Sequence, residues 1–331
     1  MSKRSYKRYV TKEKLEKVDK KNKDLINKFF SFKNMNLSDA TKKNYESDFN
    51  QWLVFINEKY GDGLLSHEFI LDIIKNDSDE MVDLIEDFIF FCTSELNNNE
   101  RRIQRRLSSI SSFFLFLRKK RKIKENPVDF VERPSVSAGE KIQVKQNYLD
   151  ESQIDTIRRS LRRTGQKQLE LYFELSLSTM ARVNAINNIK VSQINFENKI
   201  IDDVLEKEGY RVTLFPSDRA LKLVKDWLKD RKEMGINHES LFIAKYNGEW
   251  KQVSKSSMQS SWIRKIGKIV DIDNLHAHDL RHSGSSLLYN KGMALEDVQK
   301  LLNHKSPNTT LDHYIKQDVK KIQDKKQAFE I

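Results

Sequence analysis

Residues 276–314 read HAHDLRHSGSSLLYNKGMALEDVQKLLNHKSPNTTLDHY and hold four side chains suited to phosphate chemistry, His278, Arg281, His304 and Tyr314. A tyrosine hydroxyl can attack phosphorus, a guanidinium can hold the phosphate, and two imidazoles can move or share protons. Because His278 and Arg281 are three residues apart, a helix that begins there presents both on one face. Together these groups are what metal-free transesterification of DNA would require.

The composition of the whole chain favours a polyanionic partner. Its 331 residues include 60 Lys and Arg against 48 Asp and Glu, a formal net charge of +12. DNA or RNA fits that excess better than a membrane does, and charge alone also fits a soluble basic protein. Cys92 is the single cysteine, which excludes an intramolecular disulfide and fits a reducing compartment. With a charged N-terminal segment and no apolar run of about 18 residues, the chain is expected in the cytoplasm, associated with the nucleoid.

The N-terminal part of the chain is predicted to be helical and basic. Residues 1–30 form a Lys-rich segment, either a basic arm on DNA or a solvated helix, and residues 31–132 a helical DNA-binding domain. A helix from about Asn99 to Lys120 carries arginines and serines opposite its apolar stripe. That face suits contact with phosphates or a groove, and a merely solvated face is the alternative. The candidate DNA contacts are Arg101, Arg102, Arg105 and Arg106 on this helix, with Lys42 and Lys43 on an earlier one.

A second domain is predicted after an exposed linker at residues 133–147, and it spans residues 148–331. Asp150 caps its first helix, and Ile200–Leu205 with Tyr210–Phe215 read as a β-hairpin. Arg182 stands among small and apolar residues, where a guanidinium is costly to bury unless it binds an anion. Further helices are predicted at residues 218–235, 254–270, 278–290, 294–303 and 308–329.

Neither a metal nor another cofactor is expected. Five of the seven histidines lie within residues 276–313, but their HxH and HxxxH spacings come without cysteine or an HExxH pattern. The sequence also contains no GxxxxGK[ST] loop to hold a nucleoside triphosphate. The chemistry is therefore expected to rest on side chains alone.

These residues resemble the tyrosine recombinases, also called the phage integrase family. The family's C-terminal pattern is an HxLRH segment, an LGH-like segment and a tyrosine shortly after it. In this chain they are His278-Asp279-Leu280-Arg281-His282, Leu302-Asn303-His304 and Tyr314. Upstream, Arg182 resembles the family's first catalytic arginine and Lys207 the lysine of its β-hairpin. The resemblance covers about residues 30–316 and implies a mainly α fold, with an N-terminal helical core-binding (SAM-like) domain and a helical catalytic domain holding a small antiparallel sheet.

The resemblance also implies a role for each residue. Tyr314 is the expected nucleophile, which forms a 3′-phosphotyrosyl intermediate, with His278 as general base and Lys207 as general acid. Arg182 and Arg281 are expected to clamp the non-bridging phosphate oxygens, and His304 to donate to them. The implied partners are double-stranded DNA recombination sites, a homo-tetramer on DNA, and accessory DNA-bending or directionality factors, without a membrane.

Two positions depart from the family pattern. The acidic residue expected three positions after the first arginine is Ala185 here, and the glycine of the LGH segment is Asn303. Asparagine tolerates the left-handed conformation, whereas Ala185 leaves open what orients Arg182. The expected function is integration or excision of a phage or mobile element. The alternatives are Xer-type dimer resolution, a non-cutting DNA-binding relative and a type IB topoisomerase.

Overall fold

A computed structural model describes residues 9–33, 37–59, 70–76, 78–135, 147–207 and 209–303 of the chain. Contacts divide the chain into two compact units, Met1–Val144 and Lys145–Ile331. The described residues are mainly α-helical, with a small antiparallel sheet in the second unit. The fold class predicted from the sequence is therefore confirmed.

The first unit is built from helices around an aromatic core. They are α1 (Lys12–Lys17), α2 (Lys20–Lys33), α3 (Asp39–Lys59), α4 (Ile70–Asn76), α5 (Ser78–Ser94) and α6 (Glu100–Lys119), followed by a 3-10 turn at Pro127–Phe130. Phe29, Phe49 and Phe113 are fully buried. The ring of Phe49 lies 5.4 Å from that of Phe29 and 5.8 Å from that of Phe113, with edge-to-face geometry. These contacts join α2, α3 and α6.

The two helices that begin in the Lys-rich N-terminal segment differ in burial. No residue of α1 is buried, whereas α2 buries Leu25, Ile26 and Phe29. The solvated-helix interpretation fits α1, but α2 is part of the core because its apolar side chains repeat at helical spacing. The domain boundary expected at residue 30 falls inside α2. Residues 1–8 lie outside the described residues.

The second unit combines helices with two small antiparallel sheets. The helices are α7 (Glu151–Thr164), α8 (Lys167–Thr179), α9 (Val183–Asn187), α10 (Asp218–Glu233), α11 (Lys255–Ser257), α12 (Ile263–Ile269), α13 (Ala277–Asn290) and α14 (Leu295–Leu301). The strands are β1 (Ile194–Asn195), β2 (Ile200–Lys207), β3 (Tyr210–Leu214), β4 (Ile243–Tyr246) and β5 (Glu249–Gln252). Strands β1, β2 and β3 form one antiparallel sheet in that order, and β4 pairs with β5.

Local sequence signals account for several of these elements. Asp150 caps α7 through a reciprocal capping box with Gln153. The predicted hairpin is present as β2 and β3, and the left-handed conformations expected at Gly292 and Asn303 occur with φ of 103° and 51°. The β4–β5 hairpin was not predicted. The helix expected at residues 308–329 lies outside the described residues.

Close packing of α8 against α13 positions Arg182, which follows α8, and His278 and Arg281, which lie in α13. Gly284 of α13 lies so near α8 that a Cβ atom there would be 2.2 Å from the carbonyl oxygen of Leu177. Only glycine allows this approach without a shift of one helix. Because α8 ends at Thr179 and α13 begins at Ala277, the contact brings two distant stretches of sequence together.

Candidate active site

Arg182 stands at a break between two helices. Met180, which is fully buried, adopts a left-handed conformation with φ of 52° and ends α8. Arg182 then has an extended conformation and forms the N-cap of α9. The break turns the chain so that Arg182 lies beside the start of α13, where its charge acts on His278.

Arg281 is a buried cation that joins three segments of the site. It is 1% exposed, and its guanidinium donates to the carbonyl oxygen of Met180 at 2.6 Å and to that of Leu302 at 2.5 Å. Met180 is two residues before Arg182, and Leu302 is two residues before His304. Charge-assisted hydrogen bonds of this kind are among the stronger ones in proteins. Arg281 therefore holds together the backbone of the segments that carry its expected partners.

His278 is the imidazole of the described site. His278 is exposed to solvent, and its ring centroid lies 5.5 Å from that of His282. Partial burial, followed by the positive charges of Arg281 and Arg182, lowers the pKa of His278 below its ordinary value. A histidine held neutral beside two guanidinium groups is suited to accept a proton next to a bound phosphate.

A set of hydrogen bonds fixes the start of α13. The carboxylate of Asp279 accepts from the backbone N–H of His276 at 2.8 Å and from the side chain of Asn147 at 3.5 Å. The backbone N–H of Leu149 donates to the Ser283 hydroxyl at 2.8 Å. The first described residues of the second unit are thus tied to the helix that carries His278.

Glu206 supplies a contact that the sequence did not predict. Its carboxylate, at the end of β2, forms an ion pair with the guanidinium of Arg182. The family position for an acidic residue is Ala185, which is fully buried in α9. An acidic residue in the predicted hairpin turn, next to Lys207, was the available signal, but a charge in a hairpin turn is usually a solvated surface charge.

The expected catalytic residues are described only in part. The structure brings together Arg182, His278 and Arg281. The backbone of Lys207 lies in β2 and pairs with Tyr210, but the Lys207 side chain is not among those described. His304 and Tyr314 lie outside the described residues.

The expected DNA-binding residues lie in the first unit, and the structure separates them by burial. Arg101, Arg102 and Arg105 are exposed on α6, Lys43 is exposed and Lys42 is half-buried on α3. Arg106, by contrast, is only 5% exposed.

Arg106 belongs to a buried polar network that joins α3, α5 and α6. Its guanidinium donates to Gln51 at 2.6 Å and to the sulfur of Cys92 at 3.0 Å, and it lies 3.9 Å from the carboxylate of Asp48. Asp48 also pairs with Arg105 at 2.7 Å and accepts from Ser109 at 2.8 Å. Arg106 therefore has a structural role, and its interpretation as a DNA contact is corrected.

Neither a cluster of metal-ligand side chains nor a membrane-length apolar helix occurs in the described part of the chain. No three His, Cys, Asp or Glu side chains in those ranges are arranged to hold a metal ion. None of the helices in the same ranges has the length and apolar character that a membrane crossing takes.

Comparison with known proteins identifies the family. Residues 147–321 match the phage integrase family, a range that includes His304 and Tyr314. The tyrosine recombinase XerC of Caldanaerobacter subterraneus subsp. tengcongensis is 27% identical over 283 residues, which cover 82% of this chain and 77% of that protein.

Solved structures show the same fold. The XerH site-specific recombinase bound to palindromic difH substrate, in a post-cleavage complex, aligns with a TM-score of 0.62 and 17% identity over 93% of this chain and 90% of that one. The Tn1549 transposon integrase in complex with circular intermediate DNA aligns with a TM-score of 0.59 and 18% identity over 92% of this chain and 98% of that one. This chain belongs to the phage integrase family, and its enzyme class is that of the site-specific tyrosine recombinases.

Proposed function

We propose that the chain recombines specific DNA sites through a 3′-phosphotyrosyl intermediate formed on Tyr314. The observation that carries this proposal is the convergence of Arg182, His278 and Arg281, which are up to 99 residues apart in the sequence, in a member of the phage integrase family. Two guanidinium groups and an imidazole of lowered pKa form a site for a phosphodiester and for the proton of an attacking hydroxyl.

The proposed reaction transfers the scissile phosphate from a DNA strand to Tyr314 and back to DNA. The Tyr314 hydroxyl attacks the scissile phosphorus and gives its proton to His278, and a phosphorus–oxygen bond to tyrosine forms. The bond from phosphorus to the 5′ oxygen breaks, and Lys207 protonates that oxygen. Ligation reverses these steps with a 5′-hydroxyl from another strand, so the phosphodiester energy is retained and no nucleotide cofactor is consumed.

The guanidinium groups stabilise the charge that develops on the non-bridging oxygens. Arg182, whose side chain is 34% exposed, offers the accessible guanidinium, and Arg281 adds positive charge from the base of the site. His304 adds a further donor. Loss of one such donor typically costs about 3 to 4 kcal/mol of transition-state stabilisation.

DNA recombination sites are the proposed partner, as they are for the XerH and Tn1549 structures, which contain DNA. The exposed arginines of α6, together with Lys42 and Lys43, are the proposed phosphate contacts of the first unit. Strand exchange requires two duplexes, so we propose a homo-tetramer on DNA, assisted by bending or directionality factors. We propose that this recombination takes place in the cytoplasm, on the nucleoid.

Integration or excision of a phage or mobile element is the proposed biological use, supported by the fold shared with the Tn1549 transposon integrase. Resolution of chromosome or plasmid dimers is a second candidate. It is favoured by the similarity to a XerC recombinase over 82% of the chain. The two uses share the chemistry and differ in where the sites lie.

Covalent adducts test the proposed chemistry directly. The chain is expressed with host and element DNA, the protein is denatured, and the positions of covalently attached protein are sequenced to locate the crossover. A nicked suicide duplex with that site should then accumulate a 3′ adduct with wild type and none with Tyr314→Phe. Absence of a wild-type adduct, or its persistence in Tyr314→Phe, would contradict the proposal.

Two further readouts separate the alternatives. Exchange of strands between two duplexes, without relaxation of a single supercoiled circle, distinguishes a recombinase from a topoisomerase. Adducts at the ends of a mobile element support integration or excision, whereas adducts at a single chromosomal or plasmid site support dimer resolution.

A further inference from the structure

The ion pair between Arg182 and Glu206 joins two parts of the second unit. Arg182 is the N-cap of α9, and Glu206 is the residue before Lys207 in β2. The carboxylate side chain is 7% exposed and the arginine side chain 34%. The contact therefore holds an almost fully buried anion against a cation that still reaches solvent.

Burial makes this contact specific. A carboxylate removed from water is costly unless a partner replaces its hydration, and Nη1 of Arg182 is the partner of Glu206 Oε2. Oε1 of Glu206 has no hydrogen-bond partner within the described ranges. Glu206 thus depends on Arg182, and one edge of the Arg182 guanidinium is fixed by it. The other donors of that planar group bind no side chain or carbonyl of the described residues, and they can therefore bind a phosphate.

Two neighbouring asparagines strengthen the same junction. The side-chain amide of Asn184 donates to the backbone carbonyl of Glu206, and that of Asn188 donates to the carbonyl of Leu205 at 2.9 Å. Side chains at three positions of one helical segment, Arg182, Asn184 and Asn188, therefore bind the last residues of β2. The end of the strand is held at the turn that carries Arg182.

We propose that Glu206 is the positioning residue of Arg182. From β2 it orients the guanidinium that the family's acidic residue three positions after the arginine would otherwise orient, a position that is Ala185 here. Compared with the family pattern, the carboxylate comes from another element, but it has the same charge and the same target. The inference rests on the proposed catalytic role of Arg182 and deepens it.

Single-turnover cleavage of the nicked suicide duplex, at saturating protein, tests this role with the full-length chain. Glu206→Gln keeps the shape and an acceptor oxygen but removes the charge. Its rate constant of adduct formation should fall about 10- to 100-fold, because small misplacements of a catalytic group cost factors of that size. The Kd for the duplex, measured by fluorescence anisotropy, should change less than about twofold, since the loss concerns orientation in the transition state.

Two variants complete the comparison. Glu206→Asp keeps the charge with a shorter reach, so its rate should lie between those of wild type and Glu206→Gln. Glu239→Gln removes an exposed carboxylate that pairs with Lys190 at 2.9 Å, and it should cleave at the wild-type rate. Thermal unfolding verifies that each variant is folded. If Glu206→Gln does not fold, the intermediate rate expected for Glu206→Asp carries the test.

The outcomes distinguish this inference from the proposed function. Cleavage by Glu206→Gln at or above the wild-type rate would overturn the positioning role, as would wild-type cleavage by Glu206→Asp where that variant alone folds. Wild-type cleavage by Arg182→Ala, or adduct formation by Tyr314→Phe, would instead overturn the proposed function. A slow Glu206→Gln with an intact Kd supports the inference.

Discussion

At the scale of single residues, Arg281 combines stability with chemistry. A guanidinium that is 1% exposed needs acceptors inside the protein, and its Nη1 and Nη2 atoms donate to the carbonyl oxygens of Met180 and Leu302. Its planar fork can reach both at once, whereas a lysine ammonium is a single point on a flexible stem. The residue is therefore needed before any substrate binds.

Arg281→Lys should lower the free energy of unfolding of the second unit. The variant forms one charge-assisted hydrogen bond fewer, and a carbonyl remains buried without its donor, at a cost of about 2 kcal/mol. Urea denaturation followed by tryptophan fluorescence measures this change. The exposed Arg159→Lys in α7 is the matched control, expected within about 0.5 kcal/mol of wild type. Equal stability of the two variants would show that the carbonyl contacts contribute nothing.

The protonation of His278 should respond to its cationic neighbours. Its pKa lies below the ordinary histidine value of 6.5, so the neutral base persists to lower pH than usual. Arg182→Gln removes one of the charges that disfavour the imidazolium, and the pKa should rise. NMR titration with labelled histidine measures both values, and Arg159→Gln should leave the titration unchanged. A wild-type pKa at or above the ordinary value, or a fall in Arg182→Gln, would contradict this account.

At the scale of elements, the approach of α8 to α13 is set by Gly284. Gly284→Ala should destabilise the second unit by about 2 kcal/mol, because the new methyl group meets the Leu177 carbonyl and forces the helices apart. Gly235→Ala provides the contrast. Its φ is +66° and its Cβ would meet no atom within 4 Å, so only the left-handed conformation costs, about 1 kcal/mol.

Thermal unfolding should therefore rank wild type above Gly235→Ala and Gly235→Ala above Gly284→Ala. The reverse order of the two variants would mean that α8 and α13 can separate at little cost. Gly284→Ala should also cleave more slowly than Gly235→Ala, because Arg182 and His278 move apart when α8 and α13 separate.

The β4–β5 hairpin could be predicted from its turn residues but not from hydrophobic periodicity. All four residues of β5 are exposed, so no alternation of apolar and polar residues marks the strand. Asn247 and Gly248, between the strands, have φ of 50° and 87°. Two consecutive positive φ values are typical of a tight hairpin turn. The Asn-Gly dipeptide that favours them is a strong hairpin signal, and it was present in the sequence.

The candidate site was predictable where it depends on local pattern. The spacing of His278 and Arg281 placed both on one helix, and both lie at the start of α13. The Glu206 contact was not predictable, because an ion pair between the end of a strand and the start of a helix has no fixed sequence separation. Arg106 was misassigned for a related reason. Its burial depends on Asp48, which lies on another helix.

At the scale of the whole molecule, which carries a net charge of +12, the cations that contact DNA phosphates should set the salt dependence of DNA affinity through released counterions. Replacing the exposed Arg101 and Arg102 with glutamine should weaken binding to all sequences and reduce the slope of log K against log salt. Each phosphate that the protein no longer neutralises reduces the slope by about 0.9. Anisotropy titrations at several salt concentrations measure the slope.

A variant with the same change in charge isolates position from charge. Lys229→Gln with Lys232→Gln neutralises two exposed lysines of α10, and its slope should stay close to that of wild type. An equal fall in slope for both double variants would mean that overall charge, and not the face of α6, determines the salt dependence.

The anchoring of Arg281 also bears on how such enzymes diverge. The acceptors at Met180 and Leu302 are backbone carbonyl oxygens, which every amino acid possesses. Residue 302 is constrained by its burial, and residue 180 by its burial and its left-handed backbone conformation, and neither by a functional group of its side chain. Relatives can therefore exchange the apolar side chains at these two positions while the arginine retains its anchor. A comparison of side-chain identities alone would overlook the connection.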